Sequence, residues 1–147
     1  MKAKDYLQQI SKLDKMIQNK MIEKEQWKDM ATSTTASSDG ERVQSSGSQQ
    51  KMADAVCKYV AIEAEINSQI DKLIELKKDV ISTIEQLPST EYDLLHIVYI
   101  QFKSFEEAAE IYKKTYSWAT TVHGRALKHV QDILDGRRKY DKRTDGN

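Results

Sequence analysis

From Lys51 to Leu87 the chain has no glycine or proline, and apolar residues return every three or four positions. Placing heptad a and d positions at 52, 56, 59, 63, 66, 70, 73, 77, 80, 84 and 87 gives Met, Val, Tyr, Glu, Ile, Ile, Leu, Lys, Val, Ile and Leu. Nine of the eleven are apolar, and only Glu63 and Lys77 break the seam. That period is helical, and a helix over this segment spans about 50 Å at roughly 1.5 Å per residue. Such a helix cannot keep one apolar stripe in water. It must lie against an earlier helix as a hairpin, or against a second chain as a coiled coil. Ile62, Ile74, Leu76 and Ile81 flank the seam and widen it, so more than a strict two-helix contact is expected.

The rest of the chain is read around this helix. Residues 2–30 place Tyr6, Ile10, Leu13 and Ile17 on one helical stripe, widened by Leu7, Met16 and Met21. Lys20 and Lys24 interrupt the stripe before Trp27 and Met30 resume it. Residues 32–50 are rich in Ser and Thr with Val43 as the one large aliphatic, a composition that suits a flexible loop. The first domain is therefore 1–87, a helical hairpin or coiled-coil module. Pro88 breaks the helix and opens a second domain, 88–135. There Leu94, Leu95, Ile97, Val98, Tyr99 and Phe102 suggest a buried helix. Ser104-Phe-Glu-Glu107 is a capping box that starts another, whose Ala108, Ala109 and Ile111 form its small-residue face. Thr115 or Ser117 caps a last helix that carries Ala119, Val122, Ala126, Val130 and Ile133 on one side. Residues 136–147 read as a basic, poorly ordered tail. The fold class expected is all-α.

Composition removes several classes. The chain has 147 residues, and its 23 Lys+Arg balance 23 Asp+Glu. The even balance rules out a uniformly basic nucleic-acid coat protein. Mean hydropathy is −0.70 and no apolar run reaches membrane-span length. No apolar segment follows the N-terminal Met1-Lys-Ala-Lys-Asp5, so a secretory signal is not expected. Cys57, the one cysteine, fits packing in a cytoplasmic protein. His123 and His129 are six residues apart, about 120° around a helix, and do not share a face for a metal. Neither a phosphate-binding loop nor a hydrolase or zinc-protease motif occurs, so no cofactor, metal, catalytic residue or enzymatic activity is expected.

What remains is a short helix with small residues, a three-residue turn at Tyr112-Lys113-Lys114, and a longer helix. This is a helix-turn-helix pattern. Ala109 must be small because the two helices cross there. The face opposite Ala119, Val122 and Ala126 presents Tyr116, Ser117, Thr120, Thr121 and Lys128, with Arg125 at its edge. Ser and Thr can bond base edges or phosphates, the Thr methyl can meet a thymine methyl, and Arg can grip guanine with two bonds. Lys113, Lys114 and Thr115 at the turn, and Arg137 and Arg138 in the tail, complete the DNA-binding set. Region by region the charge agrees. Residues 88–111 carry five acids and one base, and residues 112–143 carry nine bases and three acids. A basic patch of this kind neutralises phosphates and releases counterions.

Ser104-Phe-Glu-Glu-Ala-Ala109 resembles the first helix of the sigma-factor domain 4 helix-turn-helix, and His123-Gly-Arg-Ala-Leu127 resembles the end of its recognition helix. With Arg42-Val-Gln-Ser-Ser-Gly47 and Lys51-Met-Ala-Asp-Ala-Val56, the resemblance extends over most of 42–134. It is to small phage and prophage regulators of Gram-positive bacteria, the ArpU/RinA-type late-transcription activators. Where that turn usually has Gly and then an apolar residue, this chain has Lys113 and Lys114. The resemblance implies sequence-specific binding of double-stranded DNA that switches on phage late genes, in the cytoplasm of a bacterial host. Host RNA polymerase and a second copy held through the 52–87 helix are the further partners to expect, and no membrane. Two other readings stay open: a small-terminase-like DNA-recognition component of phage packaging, and a helical adaptor that binds no DNA.

Overall fold

In a computed structural model of the chain, residues 1–32 and 46–144 are described. They form α1 (Ala3–Thr32), α2 (Ser46–Ile84), α3 (Ser89–Leu95), α4 (Phe105–Ile111) and α5 (Tyr116–Thr144), with α3 running on into a π-helical turn, His96–Ile100. No strand occurs among the described residues, and the fold is all-α. Of the loop expected at 32–50, residues 33–45 lie outside the described residues, while Ser46 to Gln50 already belong to α2. The chain divides into two compact units, one of residues 13–72 and one of residues 1–12 with residues 73 onward.

In the 13–72 unit the two long helices run antiparallel. Lys20 Nζ lies 2.7 Å from Glu65 Oε2 and Lys24 Nζ 3.8 Å from Glu63 Oε1. Further along, Lys58 Nζ sits 4.7 Å from the centre of the Trp27 ring. As the number rises on α1 it falls on α2. The two lysines that interrupt the α1 stripe therefore sit over the seam and meet acids from α2, and Glu65 holds the Lys20 ammonium above its ordinary range.

Burial along α2 follows 52, 55, 59, 62, 66 and 69. The a positions are those expected, but the d positions shift by one residue. Ala55 and Ile62 face α1 in place of Val56 and Glu63, and Val56 is 47% exposed. The reason is the cost of burying charge. Of two seams one residue apart, the helix buries the one free of Glu63 and Lys77. That phase has its own cost, because Gln69 now lies in the seam with a buried Oε1 that has no hydrogen-bond partner.

The larger unit holds two cores. In the main one, Ala3, Tyr6, Leu7 and Ile10 of α1 meet Val80 and Ile84 of α2, Leu87, Leu95, Tyr99, and Ala126 and Val130 of α5. Leu76, rather than Lys77, packs against this core. At its edge the Tyr6 hydroxyl lies 2.5 Å from Asp79 Oδ2 and 2.9 Å from Thr83 Oγ1. Burial, then the Asp79 carboxylate, pushes the Tyr6 phenol above its usual range. The second core is small: Leu94 and Ile97, Ala108 and Ala109 of α4, and Ala119 and Val122 of α5, with Phe105, Tyr112 and Trp118 packed around them.

Three expectations change. Phe102 is not in a buried helix: the π turn ends at Ile100 with Gln101 as its cap, and Phe102 follows at φ 58°, 46% exposed. Ile111 is 52% exposed, so the buried face of α4 is its two alanines alone. The tail is not unstructured from residue 136, because α5 continues to Thr144. One exposed glycine costs a helix only about 1 kcal/mol. Ile133 and Leu134 anchor the preceding turn on the main core, and Lys142 and Arg143 fall in the last turn, where cations suit a helix C-terminus.

Replacing Gln69 by leucine removes a partnerless buried carbonyl and fills the seam. Gln69→Leu is expected to raise unfolding stability by about 1 kcal/mol, read as a higher denaturant midpoint at unchanged m-value.

Candidate nucleic-acid interface

The turn between α4 and α5 is built from the ends of both helices. At the start of α4 the Ser104 hydroxyl accepts from the Glu107 N–H at 3.2 Å, and the Glu107 carboxylate accepts from the Ser104 N–H at 3.3 Å, the expected capping box. At its end the Lys113 N–H donates to the Glu110 carbonyl (3.1 Å) and the Lys114 N–H to the Ala109 carbonyl (2.8 Å). This pair of bonds is a Schellman motif, which needs its central residue in the left-handed region. That residue is Lys113, at φ 52°. The sequence has lysine where the backbone asks for glycine, and the chain makes the same turn at the cost of a Cβ clash.

The apolar anchor missing at Lys114 comes from Tyr112. Its ring is half-buried and lies 5.5 Å from that of Trp118. Burial, then Asp93, pushes this phenol up to about 12. Of the two candidate caps, Thr115 is the one used: its Oγ1 accepts from the Trp118 N–H at 3.1 Å, and α5 begins at Tyr116.

From this cap, α5 buries Ala119, Val122, Ala126 and Val130 and turns its other side outward. The turn residues Lys113, Lys114 and Thr115 are exposed, and so are Tyr116, Ser117, Thr120, Thr121, Arg125 and Lys128 on the helix, as its spacing requires. The two threonine hydroxyls are not free donors. Thr120 and Thr121 both donate to the Ser117 carbonyl, at 3.0 and 2.8 Å. Each keeps lone pairs to accept from a base amine or a guanidinium, and a methyl for apolar contact. Tyr116, 54% exposed, meets the Phe105 ring edge-on at 6.3 Å.

Two members of the set stand apart. Arg137 is turned onto α2: Nη2 donates to Thr83 Oγ1 at 2.8 Å, and Nη1 lies 3.7 Å from Asp79 Oδ1. The Arg138 side chain lies outside the described residues. Sequence reasoning passed over Gly124, which shares the exposed face. A Cβ there would meet nothing within 4 Å, so nothing in the chain requires glycine at this position.

The helix is held from behind by His123. Its Nε2 shares a 2.6 Å hydrogen bond with the Tyr99 hydroxyl, and Phe105 packs against its ring edge-on at 4.8 Å. Burial lowers the His123 pKa below its ordinary 6.5, and Lys4 adds to the effect. Burial also pushes the Tyr99 phenol up to about 12. The imidazole is therefore neutral where the fold is most stable. The other helix histidine, His129, reaches the buried Glu91 carboxylate, with Nδ1 2.7 Å from Oε2. Among the described residues no three His, Cys, Asp or Glu side chains gather as a metal site.

Two outcomes follow from this geometry. Lys113→Gly relieves the left-handed strain and is expected to stabilise the fold by about 0.5–1 kcal/mol in chemical denaturation. For His123 the unfolded chain binds its proton more tightly than the folded one, so stability is full above pH 6.5 and falls as pH drops below it. In His123→Gln the melting temperature is expected to lose less between pH 7.5 and 5.5 than in the wild type.

No protein-family model, curated protein or solved structure matches the chain.

Proposed function

We propose that the chain is a sequence-specific DNA-binding regulator that lays the first half of α5 in the major groove and activates late-gene transcription of a phage. The observation that carries the reading is one helix face. Between Glu110 and Asp132 there is no acid, and the exposed residues include Lys113, Lys114, Arg125 and Lys128 with Ser117, Thr120 and Thr121 among them. The face holds the groups that phosphates and base edges call for, on a helix that fits a groove about 12 Å wide. At Gly124 the partner's atoms can approach the helix backbone itself. The phage setting, the late genes and contact with host RNA polymerase are supported by the resemblance of residues 42–134 to the ArpU/RinA-type regulators.

The two bases have separate roles in this reading. Arg125, at the edge of the face, reads a guanine, and Lys128 neutralises a phosphate. Footprinting with the purified protein on the DNA around its own gene tests both. A protected site upstream of late genes is expected. Arg125→Ala should weaken that site by about 1–3 kcal/mol and relax its sequence preference. Lys128→Ala should weaken all sequences alike and lower the salt slope by about one. Protection unchanged in both variants would overturn the assignment of the face. No protection at all would favour the adaptor reading, and rings of eight or more subunits on a packaging site would favour the terminase-like one.

A further inference from the structure

The seam shift along α2 leaves a second stripe beside the chain's own packing, with Ile70 half-buried and Glu63 at the rim 3.8 Å from Lys24 Nζ. Val56, Val60 and Ile74 are 47%, 56% and 47% exposed. With Glu63, Asn67 and Ile70 they fall at spacings of four, three, four, three and four, a heptad pattern in its own right. The order is a palindrome about Glu65. Val56 and Ile74 lie nine residues either side of it, Val60 and Ile70 five, and Glu63 and Asn67 two.

From this we propose that two copies of the chain pair through this stripe, α2 against α2 and antiparallel, around a twofold axis near residue 65. A palindromic stripe is self-complementary only in that arrangement. Each β-branched residue then meets a β-branched residue, and each Glu63 meets the Asn67 amide of the other copy. In antiparallel coiled coils an a position faces a d position, and every one of these pairs obeys that rule. A parallel pair would instead set Glu63 against Glu63 in the middle of the contact. Ala64, beside the axis, is small and uncharged, so the backbones can approach there. Asn67 facing Glu63 fixes the register at the cost of an apolar layer. The contact is isologous and closes on itself, so the assembly stops at a dimer. It does not depend on what α5 binds.

The experiment is sedimentation of the full-length protein at tens of micromolar, with variants and thiol cross-linking. A wild-type dimer is expected. Val60→Lys and Ile74→Lys should each give a monomer with unchanged helicity, melting where the wild type melts once diluted to its monomer, since both side chains are about half exposed within the chain. Ile22→Lys, 59% exposed on α1 and off the stripe, should remain a dimer. Orientation is read from cysteines. In the antiparallel pair the native Cys57 residues sit about 24 Å apart along the axis at roughly 1.5 Å per residue. Mild oxidation should therefore leave them free, whereas Ala64→Cys in a Cys57→Ser background should link the two copies. A wild-type monomer, a dimer that survives Val60→Lys, or ready Cys57–Cys57 linkage would overturn the proposal.

Discussion

The Thr83 hydroxyl, with no solvent exposure, is the point against which three helices of the larger unit are set. It donates to the Asp79 carbonyl, lies 2.9 Å from the Tyr6 hydroxyl of α1, and accepts from Arg137 of α5 at 2.8 Å. A buried hydroxyl without partners costs on the order of 1–3 kcal/mol. The aliphatic contacts around it, Leu7 and Ile10 against Val80 and Ile84, would tolerate a small slide of one helix along another. The polar group does not, because its partners come from two other helices and must all be in reach. The same contact explains why Arg137 lies half-buried against α2.

Much of this architecture was legible in the chain. The helix break at Pro88, the capping box at Ser104 and the cap at Thr115 are local signals, and local signals survive folding because they act within a few residues. The heptad phase was not. A stripe that is apolar on adjoining lines can be buried on either. The choice rests on charge: with Glu63 and Lys77 kept out of the seam, Glu63 and Glu65 sit at its rim and meet Lys24 and Lys20 of α1, partners that the α2 pattern alone does not reveal. The π turn at His96–Ile100 was also invisible. A widened turn keeps the same residues in the same order, and only the packing of Ile97 and Tyr99 into different cores makes it worthwhile.

The site was legible as a face and less so as chemistry. Helical spacing alone puts Ser117, Thr120, Thr121 and Lys128 on one exposed side. It could not show that the threonine donors are spent on the Ser117 carbonyl, nor that a lysine would occupy a left-handed turn. His123 and Gly124 are neighbours in sequence with opposite roles. One is wedged between Tyr99 and Phe105, and the other is open to solvent. Only the rotation of the helix against its core separates them.

The distribution of charge has a kinetic consequence. Glu106, Glu107 and Glu110 lie on exposed positions of α4, while Lys113, Lys114, Arg125 and Lys128 occupy the turn and the open side of α5. Together with a formal net charge of zero, this gives the α4–α5 end a local charge dipole rather than the field of a polycation. Before contact, a polyanion exerts torque on such a protein more than it exerts pull. On the proposed DNA-binding reading, encounters would be oriented with the basic end leading, a bias that fades once the screening length falls to a few ångströms at high salt. A chain that is neutral overall would then lose little to indiscriminate attraction and still arrive the right way round.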